Sequence, residues 1–188
     1  VIAYRRDKFK SLGFTPTDWS DLWREELRDR ISLLDQPREV IGLTLKKLGH
    51  SYNTPNLDKI PDLKNSLSSL HQQVKFYSSD TYLQPLILGD TWVAVGWSTD
   101  VLSAMRRYNQ IAAVVPQSGT ALWTDLWVRP MKSQEAASST LLQQWIDFCW
   151  QPEMARQLSR FTQAVSPILA TMNRAELPDA LQNNQVLL

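Results

Sequence analysis

Two tryptophan–carboxylate pairs lie near the middle of the sequence. Trp97 is followed by Asp100, and Trp123 is followed by Asp125. An alkyl-ammonium ligand needs this combination, because an indole ring packs on its methylene groups and attracts its charge by about 0.5–2 kcal/mol per contact, while a carboxylate accepts its N–H donors. Each pair also has a purely structural alternative, since buried tryptophans are common in protein cores and aspartates are common in turns and helix caps. The presence of both pairs favours the ligand interpretation.

The chain alternates predicted strands and helices, which is typical of an α/β fold with a mostly parallel sheet. Apolar runs predict strands over residues 1–4, 31–34, 74–77, 92–97, 111–115 and 122–128. Helical spacing predicts helices over residues 17–23, 37–48, 57–73, 82–88, 99–108, 133–150 and 152–161, and residues 5–13 are predicted to form a polar connection.

Ligands of such sheets bind at the carboxyl ends of the strands. The candidate residues Asp35, Glu39 and Asp100 follow predicted strands closely. In a strand, residues two positions apart point to the same face, so a strand over 122–128 would place Trp123 beside Asp125. We therefore expect these side chains to contribute to one ligand site.

Composition excludes several classes of protein. The 188 residues are 43% hydrophobic and 21% charged, as in soluble globular proteins of one or two domains. Twenty basic and nineteen acidic residues give a net charge of +1, which argues against a nucleic-acid partner. No apolar run approaches the roughly 18 residues of a membrane span. The single cysteine, Cys149, excludes an internal disulfide and a cysteine-rich metal site, and we expect no metal and no cofactor.

Three stretches resemble the spermidine/putrescine-binding proteins of bacterial polyamine ABC importers, which are type 2 periplasmic binding proteins. They are LLDQPREVIGLTLKKLG, KFYSSDTYLQPLILGDTWVAVGWSTD and ALWTDLWVRP, and the resemblance covers residues 1–172 in order. It implies a receptor that is not an enzyme, whose two α/β lobes close on an extended polyamine and deliver it to a membrane permease and ATPase. It also implies a periplasmic or extracytoplasmic location, with or without a membrane anchor.

The same resemblance assigns ligand-binding roles to five residues. Glu39 matches an acid that holds an ammonium group, and Asp100 matches an aspartate that the putrescine-binding branch uses at the ligand. Trp97 matches a tryptophan that packs on the alkyl chain. Trp123 and Asp125 match an aromatic–acid pair on the hinge strand, which holds methylene groups and an amine.

Two positions differ from the family pattern. Gln36 stands where the spermidine-binding branch has an acidic ligand residue, and Ala164 stands where an aromatic ligand residue is expected. Gln36 remains a secondary site candidate together with Asp35, which is also predicted as the N-cap of a helix with Pro37 in its first turn. These differences leave the identity and length of the ligand open.

The resemblance also predicts the domain organisation. We expect residues 1–118 to form the second α/β lobe, and residues 119–188 to supply the hinge strand and returning helices of an incomplete first lobe. An apolar stripe through Leu141, Trp145 and Phe148 would then lack its packing partner. We expect a missing first-lobe segment or a second copy of the chain to cover this stripe.

The residues themselves leave other functions open. Glu39 could be a first-turn acid that stabilises the helix dipole by about 0.3–1 kcal/mol, and Asp100 could cap the helix that follows it. An alternative from another class is an acid–base hydrolase that uses Glu39, Asp100 and Asp125, for example on a glycoside, although the sequence has no nucleophile motif or phosphate loop. The same fold could also bind another organic cation, an amino acid, a metal ion or a protein partner.

Overall fold

The computed structural model describes residues 1–128 and 140–169. The chain divides into two compact units, Val1–Ala121 and Leu122–Leu188. The assignment of these units to the second and first lobes of a larger protein stays a prediction.

A five-stranded sheet forms the centre of the first unit. Its strands are β1 (Ile2–Arg5), β2 (Ile31–Leu33), β3 (Val74–Tyr77), β4 (Val93–Val95) and β5 (Ile111–Val114). They lie in the order β3-β2-β4-β1-β5, and β2 pairs in parallel with both β3 and β4. β1 pairs antiparallel with β4 and β5. Four of these five strands therefore run in one direction, as the prediction of a mostly parallel sheet requires.

Five α-helices of the first unit connect these strands. They are α1 (Arg6–Leu12), α2 (Pro37–Lys47), α3 (Leu63–His71), α4 (Leu83–Leu88) and α5 (Ser98–Arg107), with short 3-10 helices at Trp19–Trp23, Glu25–Leu27 and Leu57–Lys59. The predicted polar connection over 5–13 is wrong, because α1 occupies most of it. The buried Phe9 explains α1, since its ring packs edge-on against Tyr4 at 5.3 Å and Phe14 at 5.0 Å.

The helix predicted over 57–73 is two elements. A 3-10 turn ends at Lys59, and α3 begins only at Leu63. Pro61 explains the break, because the residue before a proline avoids helical angles, and Ile60 has φ −97° and ψ 103°.

Both faces of the sheet are covered, because alternate strand residues point to opposite sides. On one face, β-strand residues pack with α2, α3 and the 3-10 helix at Trp19–Trp23. The buried residues of this half of the core include Phe9, Trp19, Leu22, Leu43 and Leu70. On the other face they pack with α4 and α5; its members include Leu34, Tyr82, Leu86, Val101 and Ile111. This two-sided core fixes the positions at which α2 and α5 begin.

The second unit contains two described helices, α6 (Thr140–Cys149) and α7 (Pro152–Thr162). The predicted strand over 122–128 is wrong: these residues are irregular, and 122–128 are exposed. A strand needs a hydrogen-bonding neighbour, and the described residues of this unit form no ladder. The predicted apolar stripe lies on α6, where Leu141, Trp145 and Phe148 are 76%, 58% and 42% exposed. What covers the stripe stays a prediction, and residues 133–139 of the predicted helix lie outside the described residues.

Within the described part of the chain, none of the helices combines the length and the apolar character that a membrane span requires.

Candidate functional site

The candidate site lies at the carboxyl ends of β2 and β4. These strands are parallel neighbours, so their carboxyl ends meet at one edge of the sheet. α2 begins just after β2, and α5 begins just after β4. Glu39 and Asp100 each occupy the third position of their helix, in the first turn. Both carboxylates therefore lie near the positive end of a helix dipole.

Glu39 is a buried carboxylate with one oxygen held and one oxygen unpaired. Its side chain is 7% exposed. The Tyr52 hydroxyl donates to Glu39 Oε2 at 3.0 Å and also lies 3.1 Å from the Glu39 carbonyl oxygen. Glu39 Oε1 is buried and has no hydrogen-bond partner among the described residues. An unpaired buried carboxylate oxygen is costly, so this atom favours the approach of a cationic N–H donor.

Asp100 is held in a similar way by a second tyrosine. The Tyr82 hydroxyl donates to Asp100 Oδ2 at 2.8 Å and accepts the Trp97 backbone N–H at 3.0 Å. Asp100 itself is exposed, whereas Tyr82 is 2% exposed. The Tyr82 backbone is fixed to β2, because its carbonyl accepts a hydrogen bond from the buried Ser32 hydroxyl at 2.8 Å.

Both tyrosines are neutral donors at physiological pH. Burial raises the pKa of Tyr52, and the charge of Glu39 and the hydrogen bond to it raise that pKa further. Burial also raises the pKa of Tyr82, with the hydrogen bond to Asp100 and its charge acting in the same direction. Each hydroxyl therefore keeps its proton and donates a hydrogen bond to a carboxylate.

Each tyrosine ring lies against a glycine. A Cβ on Gly42, inside α2, would lie 1.9 Å from Tyr52 Cε1, and a Cβ on Gly96 would lie 1.9 Å from Tyr82 Cε2. These distances are far below a van der Waals contact of about 3.5–4.0 Å. The two glycines therefore provide the space in which the two rings sit.

The remaining candidates of the first unit lie at the starts of the same two helices. Trp97 is half-buried, is the N-cap of α5 and packs against the core on the α4–α5 face. Gln36 is half-buried and is the N-cap of α2, without a capping bond from its side chain. The prediction of Asp35 as N-cap is wrong, because Pro37 occupies the first helical position and makes Gln36 the cap. Asp35 is exposed.

The second unit carries the other predicted pair. Trp123 is 51% exposed and Asp125 is exposed, in an irregular segment. Their placement side by side was predicted from a strand that does not form, so strand alternation does not place Trp123 beside Asp125. Ala164, the other position that differs from the family pattern, is also exposed.

Comparison with known proteins identifies the family. The bacterial extracellular solute-binding protein family matches the sequence over residues 1–188. The chain belongs to this family. The family and its relatives are solute-binding transport proteins, not enzymes, which argues against the hydrolase alternative.

Individual relatives of this solute-binding protein are about twice its length. A spermidine/putrescine-binding periplasmic protein of Escherichia coli is 29% identical over 171 residues, which are 91% of this chain and 48% of the relative. A putrescine/cadaverine-binding protein of Pseudomonas aeruginosa is 27% identical over 188 residues, covering 95% of this chain and 51% of the relative. The chain thus spans about half the length of the curated relatives it matches.

A solved structure from Listeria monocytogenes superposes on this solute-binding protein with a TM-score of 0.81 and 25% identity. The match covers 99% of this chain and 55% of that one. It confirms the predicted fold class, an α/β fold of the two-lobed periplasmic binding proteins.

Sequence reasoning did not identify Tyr52 and Tyr82 as site residues. Tyr52 lies between the helices predicted over 37–48 and 57–73, and Tyr82 is the first residue of the helix predicted over 82–88. The sequence contained one usable signal, the glycine that lies against Tyr52. Gly42 lies inside a helix, and an internal glycine often marks the close approach of another group.

Proposed function

We propose that this solute-binding protein is the ligand-binding part of an extracytoplasmic receptor of an ABC importer, and that its ligand is a polyamine. The observation that carries the proposal is the buried Glu39 carboxylate, whose Oε1 has no hydrogen-bond donor among the described residues. Further support comes from the relatives, of which one is named for spermidine and putrescine and another for putrescine and cadaverine.

The proposed ligand has the chemistry that the site residues can recognise. Glu39 and Asp100 accept N–H bonds from ammonium groups, and Trp97 packs on the methylene chain between them. Trp123 and Asp125 have the same two residue types, and the family resemblance gives them the same two roles. A diammonium ion that leaves water without carboxylate partners would lose several kcal/mol, which explains why acids rather than amides are needed.

Transport follows from the family. A receptor of this kind delivers its ligand to a membrane permease and its ATPase, so we propose these as its partners. The E. coli relative is named as periplasmic, which supports an extracytoplasmic location.

Calorimetric titration of the full-length gene product tests the proposal. The ligands are putrescine, cadaverine and spermidine, with glycine as an amino-acid control. We expect one of the three amines to bind with a dissociation constant of about 1 μM or less, and glycine to give no heat. Binding of the amino acid but of none of the amines would contradict the proposal.

A matched pair of variants locates the amine contact. Glu39→Gln keeps the shape of the side chain but removes its charge, and we expect it to weaken amine binding by about 10- to 100-fold. Asp90→Asn removes an exposed acid just before β4, at the opposite edge of the sheet, and should leave the affinity unchanged. Equal affinities for the two variants would show that Glu39 does not contact the amine.

A further inference from the structure

We propose that Tyr52 and Tyr82 are positioning residues, which hold one oxygen of Glu39 and of Asp100 and so direct the other oxygen towards the ligand. The role of the ligand in this inference rests on the proposed function. Two observed hydrogen bonds support it, one from Tyr52 to Glu39 and one from Tyr82 to Asp100.

The first support is that the same arrangement occurs twice. In each case a carboxylate in the third position of a helix accepts from a tyrosine hydroxyl, at 3.0 Å for Glu39 and 2.8 Å for Asp100. In each case the tyrosine ring occupies the space left by a glycine. The tyrosines come from unrelated segments, a loop after α2 and the residue before α4. Local sequence preference does not explain this repetition, whereas a common role in orienting a carboxylate does.

At α5 the tyrosine replaces a direct bond of the usual capping box. In that motif the acid in the third position accepts directly from the backbone N–H of the N-cap residue. Here the Tyr82 hydroxyl accepts a hydrogen bond from the Trp97 N–H and donates one to Asp100. One hydroxyl therefore sets both the backbone of Trp97 and the orientation of Asp100. Because Tyr82 is buried and held through Ser32, it has little freedom to turn away.

At α2 the tyrosine selects which oxygen of Glu39 is available. Tyr52 holds Oε2 and leaves Oε1 unpaired among the described residues. A carboxylate that is fixed before the ligand arrives loses less rotamer freedom on binding, which increases affinity. The expected consequence of losing either hydroxyl is weaker binding without loss of the charge.

A double-mutant cycle on the full-length protein tests the coupling. The variants are Tyr82→Phe, Asp100→Asn and the double variant, and the readout is the dissociation constant for putrescine. We expect about a tenfold weakening from Tyr82→Phe, and no further weakening when it is added to Asp100→Asn. Tyr77→Phe is the matched control, since its hydroxyl contacts the ring of His71 rather than an acid, and should not change the affinity. Additive losses in the cycle would overturn the proposal, because a merely structural tyrosine acts independently of Asp100.

A second measurement requires no ligand. Hydrogen exchange of the Trp97 backbone amide should be at least fivefold faster in Tyr82→Phe, because the amide loses its acceptor, and unchanged in Tyr77→Phe. Unchanged exchange in Tyr82→Phe would also overturn the proposal. If the wild-type protein binds none of the amines and the Trp97 amide still responds, the proposed ligand is wrong while the positioning contact is supported.

Discussion

The substitution Gly96→Ala tests whether the space under the Tyr82 ring is essential. Gly96 is not among the glycines with positive φ, so alanine can adopt its backbone conformation. The new Cβ would lie 1.9, 2.3 and 2.4 Å from Cε2, Cζ and Oη of Tyr82. Since carbon atoms in contact are about 3.5–4.0 Å apart, the ring would have to move by roughly 1.5 Å or more.

The expected loss of stability follows from two terms. Tyr82 is 2% exposed, so its ring has no open solvent to move into, and overpacking of this kind costs about 1–3 kcal/mol. The displaced hydroxyl would also lose its bonds to Trp97 and Asp100, each worth about 1 kcal/mol. We therefore expect Gly96→Ala to lower the free energy of unfolding by about 3–5 kcal/mol.

Urea unfolding of the full-length protein measures this loss. Gly13→Ala is the control, since Gly13 has φ 76° with no atom near its Cβ position, and its alanine variant should lose only about 1 kcal/mol of stability through backbone strain. In a Tyr82→Ala background the steric conflict is absent, and Gly96→Ala should then cost less than about 1 kcal/mol. The same loss in both backgrounds would refute the steric explanation.

Two further predictions concern other parts of the chain. Asp125→Asn should weaken amine binding by about 1.5–3 kcal/mol in a calorimetric titration, and an unchanged affinity would mean that Asp125 faces away from the ligand. Burial alone would raise the pKa of Asp18, but hydrogen bonds from the Ser118 hydroxyl, the Ser118 N–H and the Trp19 N–H lower it below its ordinary value of 3.8. A lowered folded-state pKa stabilises the fold above the ordinary value, and this contribution disappears as the pH falls through the folded-state pKa. Asp18→Ala should therefore lower the free energy of unfolding by about 1–2 kcal/mol at pH 7 and by less at about pH 3, and an equal loss at both pH values would contradict this reasoning.

The strands of the first unit could be predicted because they are short apolar runs between turn residues. β3 has the predicted bounds, residues 74–77, and β2 and β5 each end one residue before their predicted ends. The same pattern failed at 122–128, since an apolar run cannot show whether a neighbouring strand is available to pair with it. α1 was missed for the opposite reason, because its stability depends on the tertiary packing of Phe9.

The acids of the site were predictable from residue type and position, but their partners were not. Glu39 and Asp100 follow strands that pair in parallel, and strand order places them at one edge. Tyr52 and Tyr82 lie 13 and 18 residues away from these acids in the sequence. Helical and strand periodicity relate only residues a few positions apart, so neither contact could be read from spacing.

The choice of tyrosine as the partner of each acid bears on the charge of the ligand. Over residues 1–128 and 140–169, the ion pairs involve other acids, namely Asp7, Glu26 and Glu153. An arginine or lysine could have held Glu39 or Asp100 more strongly, but it would have neutralised the carboxylate. A neutral tyrosine orients the carboxylate without adding a positive charge of its own. A site with two fixed acids is suited to a cationic ligand, whereas an anionic ligand would be repelled by both carboxylates.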